Sequence, residues 1–280
     1  MADFPAIARI TPQHTTRERP AILRALGRSE PALLVTVDGE QYKQVDVFKH
    51  DSWAATAAYS SADGRTIVCK FNRQAPIGWI PMGWLGRFLG YRERYFLQAL
   101  AGVPGIPSVF REVKVNGRIM SNVVAHEFIP GKPLSLSSNL RSDFFENVKR
   151  VLAELHERRI AYFDLHKQEN VIVGEDGSPY LIDFQVSLKL PSGRMFTKLF
   201  GMLRDCDLYH VEKHRWLHRQ ASLSDVNRMR PWWIQLHRLL SVPLRTIRRR
   251  FLVAIGVRSG KGYSSTEVYV EVGLRRENAA

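Results

Sequence analysis

Residues 161–185, AYFDLHKQENVIVGEDGSPYLIDFQ, constrain this chain more than any other stretch. Two short apolar runs, Val171-Ile172-Val173 and Tyr180-Leu181-Ile182, flank the turn-forming residues Gly174-Glu175-Asp176-Gly177. That pattern predicts a β-hairpin. Asp164 and Asn170 stand before its first strand, and Asp183 follows its second. Phosphoryl transfer from a nucleotide needs this inventory. One carboxylate orients the acceptor hydroxyl, while an amide oxygen and a second carboxylate hold magnesium against the phosphates. Asp and Asn are also ordinary turn formers, so the upstream sequence must decide between the two readings.

Upstream, Arg65–Phe71 alternates and is rich in β-branched residues, which predicts a strand carrying Lys70. A lysine in an apolar strand is costly unless its charge is paired. Glu93 is the candidate partner, on a helix over Tyr91–Leu100 whose apolar face holds Tyr95 or Phe96 with Leu97, Ala99 and Leu100. Gly102 and Pro104 end that helix. Taken singly, Lys70 reads as snorkelling at a strand end and Glu93 as a solvated helix residue. The order strand-Lys, helix-Glu, Asp, Asn, Asp-Phe shifts the balance. Two further strands are predicted over 107–115 and 118–128, joined at Asn116-Gly117, a strong hairpin signal. A Pro/Gly loop follows at Ile129-Pro130-Gly131.

The 161–185 stretch resembles the catalytic loop and metal-binding Asp-Phe-Gly segment of the protein-kinase-like fold. The resemblance implies an α+β, bilobal protein-kinase-like architecture: a small antiparallel-sheet N-lobe with one helix, and a mainly helical C-lobe. It implies that Asp164 is the catalytic Asp and that Asn170 and Asp183 hold Mg2+. It further implies that Lys70, paired with Glu93, meets the phosphates of ATP, with adenine at the hinge residues Glu127, Phe128 and Ile129. Lys167, in the loop, is assigned to the transferred phosphoryl group. The chain departs from the family pattern in three places. Tyr162-Phe163 replaces His-Arg, the Asn comes one residue late so that Glu169 takes its usual position, and Gln185 replaces Gly. No glycine-rich loop precedes Lys70, although Ser52, Ala54 and Ala55 are small.

Arg204–Arg215 follows the hairpin where a eukaryotic-type protein kinase carries a long activation segment. Its Asp207, Tyr209, Lys213 and Arg215 resemble the pattern of bacterial lipopolysaccharide core kinases, which phosphorylate Kdo or heptose sugars, and of their RIO-like relatives. In that family Asp207 braces the catalytic loop from a helix. The implied acceptor is an envelope glycolipid. A protein acceptor, as for a RIO-like serine/threonine kinase, is the alternative, and a membrane-associated pseudokinase scaffold is the third reading.

Composition sets the remaining bounds. The 280 residues suffice for a substantial core. Cys69 and Cys206 show no pairing or metal spacing. The N-terminal residues lack a signal-peptide pattern, and no apolar run is long enough for a spanning helix. The expected location is cytoplasmic, peripheral on the inner face of the membrane. The formal net charge is +14, and residues 191–280 hold 17 Lys/Arg against 7 Asp/Glu. The run Pro243–Val253 concentrates part of that charge, and residues 76–89 carry two Trp among apolar neighbours. Both suit an anionic membrane surface. They also read as a solvated face and as packing of the small lobe. Nucleic acid ranks below the membrane, because no reading motif accompanies the charge.

The chain divides into a tail at 1–29, with a short helix at 21–26, an N-lobe at 30–128, a C-lobe at 129–256 and a tail at 257–280. Residues 143–158 predict an amphipathic helix with Phe145, Val148, Leu152 and Leu155 on one face. Asp143 and Glu146 are placed as a capping box. A weak alternation at 266–273 suggests a strand.

Overall fold

The computed structural model describes residues 20–137, 139–234 and the single positions 247, 250, 253 and 254. The basic run at 243–253 and the alternating segment at 266–273 therefore lie largely or wholly outside the described residues.

Seven antiparallel strands form the first layer: β1 (Leu34–Val37), β2 (Glu40–His50), β3 (Ala54–Ser61), β4 (Thr66–Asn72), β5 (Val113–Val115), β6 (Arg118–Ile119) and β7 (Val123–Glu127). Their order is β6-β5-β1-β2-β3-β4-β7. Strand β4 is flanked on both sides, with Lys70 opposite Thr56 of β3 and Val124 of β7. Its apolar run is buried accordingly. The long strands expected over 107–115 and 118–128 are shorter and interrupted. Asn116 (φ 50°) and Gly117 (φ 76°) do make the tight turn that their sequence predicts. The hairpin they close extends the β1 edge, while β7 pairs β4 at the opposite edge. Val109 bridges back to His126. The sheet is thus curled, with a core of Val35, Tyr42, Tyr59, Ile67, Phe71 and Val123 among others.

Helix α1 (Gly83–Ala99) crosses this sheet and starts eight residues before the expected Tyr91. Its last turns enter the core of the second lobe through Phe96, Leu97 and Leu100. That core also gathers α2 (Phe144–Glu157), with Phe145, Val148, Leu152 and Leu155 inward as their spacing predicts. The expected capping box at Asp143 does not form. Arg141 chelates that carboxylate at 3.0 and 2.9 Å, and Asn147 takes it from the helix side. At 21–26 only a short 3-10 turn, Ala21–Leu23, is present.

The remaining elements are β8 (Gly131–Pro133), β9 (Ile160–Ala161), β10 (Val171–Gly174), β11 (Pro179–Leu181), β12 (Leu188–Lys189), α3 (Arg194–Leu217) and α4 (Leu223–Met229). β10 and β11 are the predicted hairpin, widened to three strands by β8. No helix among the described residues is long and apolar enough to cross a membrane. Cys69 and Cys206 are both free and buried.

Candidate active site

The β4 strand and α1 place two opposite charges in the buried interior. Lys70 Nζ lies 3.2 Å from both carboxylate oxygens of Glu93 and 2.8 Å from Asp183 Oδ1. Burial disfavours the ammonium, but Asp183 and Glu93 together outweigh it, so the Lys70 pKa stands raised. The two carboxylates share one cation unequally. Burial raises Glu93 despite Lys70. Burial also acts upward on Asp183, yet its closer contact with Lys70 wins and holds that carboxyl below the usual range.

Asp183 and Phe163 both adopt left-handed backbone, with φ of 63° and 65°. Such positions cost about 1–3 kcal/mol for residues other than glycine and persist only where the surroundings over-determine them. Asp207, fully buried on α3, accepts hydrogen bonds from the Tyr162 and Phe163 amides at 2.9 and 2.8 Å. Its Oδ2 also lies 3.1 Å from His156 Nε2. The Tyr162 hydroxyl donates to the Ile182 carbonyl, directly before Asp183. Phe184 is buried edge-on to Tyr162, ring centroids 5.1 Å apart. One braced aromatic therefore couples both strained positions.

Asp164 follows Phe163 and is buried. Its Oδ2 accepts from Lys167 Nζ at 2.7 Å and from Asn170 Nδ2 at 2.8 Å, and its Oδ1 lies 3.2 Å from His166 Nδ1. Burial raises its pKa; Lys167 and Asn170 oppose that and Asp183 adds to it. Asn170 is buried at the end of a 3-10 turn, whereas Glu169 is exposed. The Asn170 carbonyl receives the Ile182 amide at 3.0 Å, which joins the two ends of the hairpin beside Asp183.

Among the described residues no cluster of three or more His, Cys, Asp or Glu is arranged to hold a metal by itself. The donor set still suits magnesium, which takes one or two protein oxygens and completes its shell with water and phosphate. Asn170 spends its side-chain nitrogen on Asp164, leaving its side-chain oxygen Oδ1 as the metal-capable atom. Asp183, at the other end of the hairpin, has its pKa held low by Lys70.

At the expected hinge the Glu127 amide is already bound to the Ser108 carbonyl at 2.8 Å. Its own carbonyl lies 2.8 Å from His126 Nδ1. Phe128 stacks with Phe48, at the end of β2, with centroids 6.3 Å apart. Over the β2–β3 turn, Asp51 Oδ1 accepts the Trp53 and Ala54 amides at 2.8 and 3.0 Å and so fixes the turn without glycine.

Sequence reasoning missed four contributors. Gln185 Nε2 donates to Glu93 Oε2 at 3.1 Å and to Asn72 Oδ1, and Arg92 Nε donates to the Gln185 carbonyl at 2.7 Å. His214 Nε2 meets the Leu165 carbonyl at 2.5 Å, and burial lowers its pKa to about 3, so the ring is neutral. His166 reaches Asp164 from two residues away. Only His166 carried a signal, its closeness in sequence; the other contacts span about 50 residues or more.

The fold is of the protein-kinase-like class, a curled antiparallel sheet followed by a helical region. Among solved structures, the Rio2 kinase of Chaetomium thermophilum is similar to this chain at 12% identity and a TM-score of 0.50 over 66% of this chain and 63% of that one. The Rio2 kinase-ADP/Mg2+-phosphoaspartate complex of the same organism gives 12% identity and a TM-score of 0.49 over 66% and 62%. The chain thus spans less than two thirds of the length of these kinases. No protein-family model and no curated protein matches the sequence.

Proposed function

We propose that this chain is an ATP- and Mg2+-dependent phosphotransferase that phosphorylates a hydroxyl of a lipopolysaccharide core sugar or a similar envelope glycolipid, at the inner face of the cytoplasmic membrane. The observation that carries the catalytic part is the pairing at the two ends of one hairpin. Lys70 meets Asp183 at 2.8 Å, and Asn170 meets Asp164 at 2.8 Å.

In this reading Lys70, steadied by Glu93, binds the phosphates, and Phe128 and Ile129 receive the adenine. The Glu127 amide is already spent on Ser108. Asn170 and Asp183 hold magnesium, which supplies neutralisation of phosphate charge when bound. Asp164 orients the acceptor hydroxyl and takes its proton, a task its raised pKa suits. Lys167, already on Asp164, adds positive charge where the phosphoryl group passes. Catalysis is then mainly positioning and charge complementarity.

The glycolipid acceptor rests on the resemblance of the Asp207–Arg215 pattern and is the part to test first. Labelled ATP is incubated with purified protein and a total envelope extract, and the label is followed into lipid and protein fractions. Label in the glycolipid fraction is the expected result. Label in protein replaces the acceptor with a RIO-like protein substrate. No label anywhere, together with no thermal shift on adding ATP and Mg2+, leaves the scaffold reading.

A further inference from the structure

The first half of α1 is built inside out. A soluble helix turns its large apolar residues inward. Here the fully buried residues are Gly86 and Gly90, with Leu85 and Leu89 only half-buried, and the glycines press on backbone: a Cβ on Gly86 would stand 2.0 Å from the Arg73 carbonyl oxygen, and one on Gly90 3.0 Å from that of Ser121. Trp84, Phe88, Tyr91 and Tyr95, spaced as one stripe at i, i+4, i+7 and i+11, face solvent instead. Trp84 is 58% exposed and Phe88 49%. Just before the helix, Ile77 and Ile80 exchange backbone hydrogen bonds of 3.0 and 3.1 Å and close a two-residue loop. Gly78 (φ +59°) turns that loop and sets Trp79 at its tip, 91% exposed.

Exposed aromatics at this density mark an interaction surface. Charge identifies the partner. No Asp or Glu occurs between residues 64 and 92, and Arg87 is the one charged side chain between residues 75 and 91. A specific protein interface surrounds its apolar centre with a polar rim, whereas the charges that pack on these aromatics are cations, Arg92 lying 5.6 Å over the Phe88 ring and Lys189 6.0 Å over that of Tyr95. Tryptophan instead favours the boundary between hydrocarbon and headgroups, and an acid-free cationic surface suits an anionic leaflet.

We propose that the Trp79 loop and the outer face of α1 dock this protein on an anionic lipid bilayer, with Trp79 and Trp84 entering the headgroup boundary and Arg87 meeting lipid phosphate. The face lies on the side of α1 opposite Gly86 and Gly90, on the same helix that carries Glu93. A docked α1 would hold Glu93 and its partner Lys70 close to the membrane surface. The docking itself does not depend on the catalytic reading.

The test is co-sedimentation of the full chain with vesicles of phosphatidylcholine alone or mixed with phosphatidylglycerol. The expected result is binding to the mixed vesicles that weakens with salt. It should fall about tenfold or more in the Trp79→Ser/Trp84→Ser double variant and fall again in Arg87→Glu. The thermal shift with ATP and Mg2+ should be the same in wild type and the double variant, which separates this proposal from the fate of the kinase reading. Unchanged vesicle binding by the double variant would assign the contact to another surface, such as the basic C-terminal run, and overturn the proposal. So would absence of binding by the wild type, or a change of oligomeric state in the double variant, which would make the face a contact with a second copy.

Discussion

Asp164 and Asp183 bracket the same hairpin, and burial pushes both carboxyls upward, yet they end on opposite sides of the ordinary value. Asp183 lies against Lys70, an ammonium with little water around it, and is held low. Asp164 lies against Lys167, whose side chain is 47% exposed and so is screened, and it remains high. In the proposed function, two aspartates set apart in this way divide the chemistry: the one held low serves as the metal ligand and the one held high as the proton acceptor.

The largest effect should separate these two jobs. Asp164→Asn is expected to lower turnover by about 10²–10⁴-fold, the range for loss of a general base, while the thermal shift with ATP and Mg2+ persists. Asp183→Asn should abolish turnover and also the magnesium dependence of that shift. Both follow from steady-state assays paired with melting curves. Equal turnover in Asp164→Asn and wild type would break the division outright.

The lysines sharpen it next. Lys70→Ala leaves Glu93 buried without its cation, which costs about 3–5 kcal/mol of stability. Lys167→Ala removes a half-exposed partner and should cost under about 1 kcal/mol. Urea unfolding of the two variants measures the contrast, and similar losses would mean that Lys70 is not the structural cation of the site.

The parts visible in the sequence were those fixed by short-range pattern. The hairpin at 171–181, the strand bearing Lys70 and the helix bearing Glu93 follow from alternation, turn residues and helical spacing. The start of α1 was hidden because its glycines, not its aromatics, face the protein, which inverts the usual signal. The box at Asp143 failed because Arg141, two residues back, competes for the same carboxylate. The β5–β6 hairpin joined the far edge through pairings remote in sequence. Gln185 looked like a departure from the pattern, and nothing local showed that its amide would bridge Asn72 and Glu93.

That bridge gives a third, smaller effect on the Asp183 side alone. Gln185 ties the segment after Asp183 to α1 through Glu93 and to β4 through Asn72, while Arg92 grips its carbonyl. Gln185→Gly should cost about 1–3 kcal/mol, chiefly for the stranded Asn72 Oδ1, since Glu93 keeps Lys70, and should raise the KM for ATP more than it lowers kcat. Gln185→Met keeps volume but has no donor, so it should match the glycine variant. Full rescue by Met would assign the effect to packing.

The subtlest test uses pH. Asp183 has a depressed folded pKa, so its stabilising contribution is present above the unfolded value of about 3.9 and is lost as pH falls through the folded value. Asp164 has a raised pKa, so its ionisation opposes folding at neutral pH and that penalty disappears on acidification. Turnover has the opposite dependence, because the proton acceptor must be ionised. The acid limb of kcat/KM should therefore lie at higher pH than acid unfolding. In Lys167→Ala the cation that lowers Asp164 is gone, so the limb should move to still higher pH. Acid unfolding, governed first by Lys70 on Asp183, should stay nearly in place. A limb that moved to lower pH, or one that moved together with unfolding, would show that Asp164 is not the group being titrated.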